Sequence, residues 1–147
     1  MKTILVPVDL SAATTRVCAA ACDLARLVKG RVVLLHVLTP PPVVVNEYFA
    51  FDTGQMAQAV AAAELGARRR LAALARRFAK RCPLKTLEVS GPAVGGILAK
   101  AGATKAAYIV MGSHGHGAVF DLLVGSTTHG VLRKARCPVL VVPMGRR

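Results

Sequence analysis

Five short segments of this chain predict β-strands, four of them as apolar runs and one, residues 84–89, from weak alternation of apolar and polar positions. The segments are bounded by polar or turn-forming residues, and most are rich in valine, leucine and isoleucine. They cover residues 3–8, 31–37, 84–89, 108–111 and 139–142. The second run reads RVVLLHV and is apolar on both faces, which is typical of a central strand in a parallel sheet.

Helices are predicted between these runs. The first covers residues 12–29, with Ser11 as its N-cap and Gly30 at its end. Another opens at Gly91-Pro92 and continues to about residue 103. Because strands and helices then alternate along the chain, we expect a parallel, doubly wound sheet.

The longest predicted helix covers residues 56–81 and is amphipathic. Apolar residues recur at steps of three and four and predict its buried stripe: Val60, Ala63, Ala67, Leu71, Leu74 and Phe78. Its basic residues lie mostly off that stripe: Arg68, Arg69, Arg70, Arg76, Arg77, Lys80 and Arg81. The preceding segment, residues 39–54, contains three consecutive prolines and is interpreted as a long loop, of the kind that often serves a function.

Composition indicates one globular domain spanning residues 1–147. No apolar run approaches the roughly 20 residues that span a bilayer. The first apolar run is interrupted by Pro7 and Asp9, so it does not resemble a signal sequence, and a cytoplasmic location is expected.

The charge is strongly unbalanced, with 20 basic residues against seven acidic ones and a formal net charge of +13. This excess implies attraction to nucleotides, nucleic acid, anionic membranes or acidic proteins, and the sign of the charge does not choose among them. The arginine-rich face at 68–81 is most simply a solvated surface. Aromatic residues are few and tryptophan is absent, which disfavours a base-stacking platform.

Four cysteines are present, at positions 18, 22, 82 and 137, and none forms a C-x2-C pair. Cys18 and Cys22 are spaced to lie on one face of the first helix. We interpret them as small buried apolar residues rather than as metal ligands or disulfide partners.

Three glycines form the most informative motif. Gly112, Gly115 and Gly125 follow the spacing G-x2-G-x9-G, and Ser126 comes next. Glycines allow a backbone to approach a phosphate closely, and Ser126 is predicted to cap a helix whose free amides favour an anion. The alternative is that the glycines only form turns. The chain has neither a G-x4-G-K-[ST] loop nor a dinucleotide fingerprint, because the third glycine position of the latter holds Phe120.

Several segments together resemble the universal stress protein family. They are ILVPVDLS at the first strand, LLHV at the second, MGSHG at the fourth and CPVLVV at the last. The resemblance implies a Rossmann-like fold of the adenine nucleotide alpha hydrolase type, with five parallel strands in the order 3-2-1-4-5 and helices on both faces. It also implies ATP binding and a homodimer that pairs through the edge strand Val139–Val142.

The resemblance also implies roles for individual residues. Gly112, Gly115, Gly125 and Ser126 would hold the phosphates of ATP, and backbone amides of His116, Gly117 and Thr127 would add to them. Pro7 and Asp9 would face the nucleoside, and Val37 and Met111 would contact the base. Magnesium or manganese would be held mainly through the phosphates, with no metal bound directly by the protein.

The residues themselves leave some alternatives open. Asp9 follows a strand and can accept hydrogen bonds from a ligand, or it can form an Asx turn or N-cap towards Ser11. His114, His116 and His129 are candidates for a zinc site. His114 is explained more simply by the resemblance, because it belongs to the family's characteristic loop sequence MGSHG. Gly130 departs from the family pattern, and inside a helix it is expected to cost about 1 kcal/mol relative to alanine.

Three functions follow from these observations. The leading one is an ATP-binding stress protein with little or no hydrolysis, acting through nucleotide-dependent conformation or partner binding. The second is a slow ATPase or a nucleotidyl transferase, which would need an acid such as Asp9 or Asp121 near the phosphates. The third is a nucleotide-independent dimeric stress protein with affinity for polyanions.

Overall fold

A computed structural model of the chain describes residues 1–39, 53–113 and 124–143. Five parallel strands form one sheet in the order β3-β2-β1-β4-β5. They are β1 (Thr3–Pro7), β2 (Arg31–Leu38), β3 (Leu84–Ser90), β4 (Ala106–Gly112) and β5 (Val139–Val142). The predicted fold class and strand order are therefore confirmed.

The helices alternate with the strands, as the periodicity predicted. They are α1 (Thr14–Leu27), α2 (Thr53–Phe78), α3 (Ala93–Ala103) and α4 (Ser126–Lys134). No described helix is both long enough and apolar enough to cross a membrane. The long loop expected at 39–54 lies mostly outside the described residues, and its last two residues belong to α2 instead.

The prediction that Ser11 caps α1 is wrong. The N-cap of α1 is Ala13, which makes no side-chain cap hydrogen bond. Ser11 lies in the turn before it, where its Oγ is buried without a hydrogen-bond partner among the described residues. The carboxylate of Asp9 organises this turn instead, because it accepts hydrogen bonds from the Ser11 amide and the Thr14 hydroxyl.

Two apolar cores lie on opposite faces of the sheet because side chains alternate along each strand. Ile4 and Val6 point towards α1 and α2, whereas Leu5 points towards α3 and α4. This two-sided burial explains why β1 and β2 are continuous apolar runs. The helices also leave the carboxyl ends of the central strands uncovered at one edge of the sheet.

The predicted stripe of α2 is partly confirmed. Ala67, Leu71 and Phe78 are buried, and Leu74 is half-buried against the same core. Ala63 is exposed, so its placement in the core is wrong. The helix packs mainly through its C-terminal half, since most residues in its first three turns are exposed.

The predicted burial of Cys18 and Cys22 is confirmed. All four cysteines are free thiols, and Cys18, Cys22 and Cys82 are buried in the core beneath α1 and α2.

Candidate functional site

A cavity of about 530 Å³ opens at the carboxyl ends of β1, β2 and β4. Its volume falls within the range of roughly 300–1,000 Å³ that is usual for small-molecule sites. The strand order reverses between β1 and β4, and doubly wound sheets bind ligands at such a point. The cavity therefore lies where this class of fold places its ligand.

The structure brings most of the predicted site residues together around this cavity. Those that line it are Pro7, Asp9, Val37, Met111, Gly112, Gly125, Ser126 and Thr127. Three others, Gly115, His116 and Gly117, lie outside the described residues, as do His114 and Asp121. The residues that line the cavity come from segments more than 100 positions apart, so only folding makes them neighbours.

Hydrogen bonds connect the two described ends of the segment that runs from Gly112 to Gly125, beside the cavity. The Gly125 amide donates to the Ser113 carbonyl at 2.7 Å, and the Ser113 amide donates to the Val142 carbonyl at 2.9 Å. The buried hydroxyl of Thr128 donates to the Gly112 carbonyl at 2.9 Å. These bonds hold the end of β4 against the first turn of α4.

The prediction that Ser126 caps α4 is wrong. Gly125 is the N-cap, and its carbonyl accepts the first helical hydrogen bond from the His129 amide at 2.8 Å. Ser126 lies one residue further on, inside the helix and exposed. A glycine cap has no side-chain acceptor for the amides of Thr127 and Thr128, so the cap leaves them available to an anion.

Gly125 has φ −56° and ψ 152°, a conformation that any residue adopts. A left-handed backbone is therefore not the reason for glycine at this position. Glycine is among the residues favoured at an N-cap, and its lack of a side chain keeps the first turn of α4 open towards the cavity.

Asp9 forms an Asx turn with Ser11, which is one of the two roles predicted for it from the sequence. Its Oδ1 accepts from the Ser11 amide at 3.0 Å and from the Thr14 hydroxyl at 3.3 Å. Leu10 takes a positive φ of 61° within this turn. Asp9 also lines the cavity, so the turn places its carboxylate at the wall, and its role as a ligand stays a prediction.

His36 lines the cavity but was absent from the predicted ligand set, although the sequence placed it at a strand end. Its Nδ1 lies 2.8 Å from the Val8 carbonyl oxygen. A carbonyl can only accept, so Nδ1 carries the proton in this bond, and Nε2 of the neutral ring is an acceptor. The local signal for this role is the position of His36 directly before Val37 at the end of β2.

The remaining residues of the cavity wall are apolar or carry hydroxyl groups, and they were not predicted as site residues from the sequence. Leu35 and Ile97 contribute apolar surface, Ala13 and Ala93 leave room, and Thr14 and Thr39 add hydroxyls. The cavity thus has an apolar side near β2 and α3 and an amide-rich side at α4. This arrangement suits a ligand with a flat apolar ring at one end and an anion at the other.

No group of three or more His, Cys, Asp or Glu side chains that could hold a metal ion occurs within residues 1–39, 53–113 and 124–143. His129 is exposed on α4, and the other two members of the proposed histidine set lie outside these ranges.

The strand order and the strand-end cavity define a doubly wound α/β protein with a ligand site at its topological switch point. The sequence pattern of the universal stress protein family matches residues 1–143. The chain belongs to the universal stress protein family.

Solved structures agree with this assignment. The hypothetical protein MJ0577 is 24% identical, with a TM-score of 0.81 over 99% of this chain and 98% of that one. Universal stress protein UspA from Lactobacillus plantarum is 25% identical, with a TM-score of 0.72 over 96% and 97%. The universal stress protein from Archaeoglobus fulgidus in complex with dAMP is 21% identical, with a TM-score of 0.68 over 96% and 97%. No curated protein sequence matches the chain at a significant level.

Proposed function

We propose that this chain is an ATP-binding universal stress protein that acts through nucleotide-dependent conformation or partner binding, with little or no hydrolysis. One observation carries the proposal: the cavity joins an apolar wall at the strand ends to the amides of the first turn of α4. A related protein of the same fold binds an adenine nucleotide, dAMP, which supports the choice of ligand.

The proposed orientation follows from the two sides of the cavity. The phosphates lie against Gly112, Gly125, Ser126 and Thr127, where a helix dipole and free amides stabilise negative charge. Gly115, His116 and Gly117, which lie outside the described residues, are proposed to add to the phosphate side. The nucleoside lies against Pro7 and Asp9, and the base packs on Val37 and Met111, with the Nε2 acceptor of His36 nearby.

Little hydrolysis is expected because the described cavity wall carries only two titratable side chains, Asp9 and His36. Both already make hydrogen bonds that organise the ends of β1 and β2. Magnesium or manganese would be held mainly by the phosphates of ATP and would screen their charge. The predicted cytoplasmic location stays a prediction.

A homodimer is part of the proposal. Strand β5 is at the edge of the sheet, so one side of its backbone has no neighbouring strand within the described sheet. Leu140 on this strand is 43% exposed. Pairing of Val139–Val142 with its copy would cover both the edge and the apolar side chain.

Titration calorimetry with Mg²⁺-ATP tests the nucleotide site through two variants. Ala13→Leu places a larger side chain in the cavity. Gly125→Val adds a branched side chain at the residue that lines the cavity and caps α4. We expect micromolar binding by the native protein and at least tenfold weaker binding by each variant. Ala12→Leu is the matched control for the first, because Ala12 is exposed and does not line the cavity.

Two results would contradict the proposal. The native protein failing to bind would remove its basis, and unchanged affinity in both cavity variants would move the nucleotide to another site. Circular dichroism of each variant checks that a loss of affinity does not reflect unfolding.

A further inference from the structure

The C-terminal half of α2 carries a dense group of exposed cations. Four of them are Arg69, Arg70, Arg76 and Arg77 on the helix, and Lys80 and Arg81 follow in the turn directly after it. We call these six residues the α2 basic face. All six side chains are exposed.

The helix geometry directs this face away from the core. Arg69 and Arg76 precede the buried residues Leu71 and Phe78 by two positions each, which is about 200° around the helix. A spacing of seven residues also aligns Arg69 with Arg76 and Arg70 with Arg77. The four helical cations therefore form two exposed rows, one opposite the core and one on its flank, over a length of about 12 Å from residue 69 to residue 77.

Few acidic groups neutralise the α2 basic face. Within the described residues, its one ion pair joins Arg81 to Asp23 at 3.0 Å. The neighbouring Arg68 pairs with Glu88 at 3.3 Å on the flank of the helix. The guanidinium groups of Arg77 and Arg81 lie 5.7 and 5.9 Å from the centre of the Phe78 ring, a contact that orients them without neutralising their charge.

This face is separate from the nucleotide cavity. None of the residues that line the cavity belongs to α2. A ligand of the α2 basic face is therefore independent of the proposed ATP site.

We propose that the α2 basic face binds the phosphate backbone of a nucleic-acid duplex without reading its base sequence. A duplex carries one negative charge for about each 1.7 Å of its axis, so a segment of about 12 Å presents roughly seven phosphates. Five of the six cations are arginines, whose planar guanidinium groups bind phosphate through two parallel hydrogen bonds. Contacts of this kind give affinity and position but no base specificity.

The structure favours a duplex over other polyanions. A membrane-binding helix inserts an apolar face, but in the half of α2 that carries the basic face the apolar residues Ala67, Leu71 and Phe78 are buried. Single strands are bound by stacking on exposed aromatic rings, and the two described aromatic residues, Phe78 and Tyr108, are buried and half-buried. Protein partners are held by buried anchor residues in pockets, which two rows of exposed cations do not provide.

Fluorescence anisotropy with a labelled 20-base-pair DNA duplex of mixed sequence tests the proposal over a series of KCl concentrations. If the face contacts four to six phosphates, the plot of log Kobs against log[KCl] is expected to have a slope of about −4 to −5. The triple variant Arg69→Gln, Arg70→Gln and Arg76→Gln should reduce the magnitude of that slope by about 3. These side chains are exposed and outside the ion pairs described above, and glutamine preserves helix propensity.

A charge-matched control is available on the opposite side of the sheet. The triple variant Arg133→Gln, Lys134→Gln and Arg136→Gln lowers the net charge equally, at exposed positions at and after the end of α4. It should retain the native slope. An equal loss in both variants would assign binding to net charge alone and overturn the proposal.

Two further outcomes would also overturn it. One is no binding of the duplex at 50 mM KCl. The other is loss of binding to vesicles of anionic phospholipid in the α2 triple variant while its duplex binding is unchanged. ATP binding by this variant should equal that of the native protein, so failure here is distinguishable from failure of the proposed function.

Discussion

Gly130 lies inside α4, where a glycine normally weakens a helix. A Cβ at this position would lie 2.8 Å from Cγ2 of Val94 and 3.4 Å from its Cγ1. Glycine therefore permits the close contact between α3 and α4. Glycine lowers the helix propensity at this position, as predicted from the sequence, and the close packing of α4 on α3 explains why glycine occupies it.

Gly130→Ala is expected to lower the free energy of unfolding by about 1 kcal/mol. The gain in helix propensity of roughly 1 kcal/mol is outweighed by overpacking against the β-branched Val94, which typically costs 1–3 kcal/mol. Gly66→Ala in α2 is the matched control, because a Cβ there meets no atom within 4 Å. It should stabilise the protein by about 0.5–1 kcal/mol.

Urea denaturation of the two variants and the native protein measures both effects. Stabilisation by both substitutions would show that α3 separates from α4 easily, contrary to the packing argument.

At the level of secondary-structure elements, three buried thiols lie where α1 packs against the turn that follows α2. Cys18 and Cys22 of α1 and Cys82 are all buried in one core. Burial raises the pKa of Cys18 and of Cys22 to about 12, and the Cys22 thiol also donates a hydrogen bond to the sulfur of Cys82. The neutral thiol is therefore the form that the folded protein stabilises.

This shift predicts a loss of stability at alkaline pH. In the unfolded chain the thiols of Cys18 and Cys22 ionise with a pKa near 9.0, whereas in the folded protein these two thiols have a pKa of about 12. Their contribution is complete below pH 9.0 and is lost as the pH rises towards 12, because the unfolded chain then binds fewer protons. The expected slope is of the order of 1 kcal/mol per pH unit for each thiol.

Urea denaturation at pH 8 and pH 10 measures this loss, with Cys22→Ala as the comparison. All other groups that titrate between these pH values are common to both proteins, so the difference in their pH dependence isolates Cys22. The variant should lose less stability than the native protein between the two pH values, and an identical loss would contradict the prediction.

At the scale of the whole molecule, β5 is the edge strand of the sheet that the described residues form, and we expect this edge to mediate the proposed dimer. Leu140→Glu places a charge on the edge strand and should convert the dimer into a monomer of 15.4 kDa, as measured by size-exclusion chromatography with light scattering. Leu65→Glu is the control, because Leu65 is similarly exposed, at 51% against 43%, but lies on α2. A dimer that survives Leu140→Glu would place the interface elsewhere.

Local patterns in the chain were sufficient to predict a parallel, doubly wound sheet, whereas its strand order was predicted from the resemblance to the family. Continuous apolar runs and three-to-four spacing record which residues are buried in each element, and the alternation of strands with helices restricts the topology to a parallel sheet. The site could be located to the same extent, since Asp9, Val37 and Gly112 follow or end strands whose carboxyl ends must meet at one edge.

Long-range packing decided what local patterns did not encode. Gly125 rather than Ser126 caps α4, in a segment where the Gly125 amide donates to the Ser113 carbonyl and the Ser113 amide donates to the Val142 carbonyl. Cys82 joins Cys18 and Cys22 across some sixty residues, and Gly130 fits against Val94 of another helix. Such contacts join residues distant in sequence, so they form only when the helices pack on the sheet.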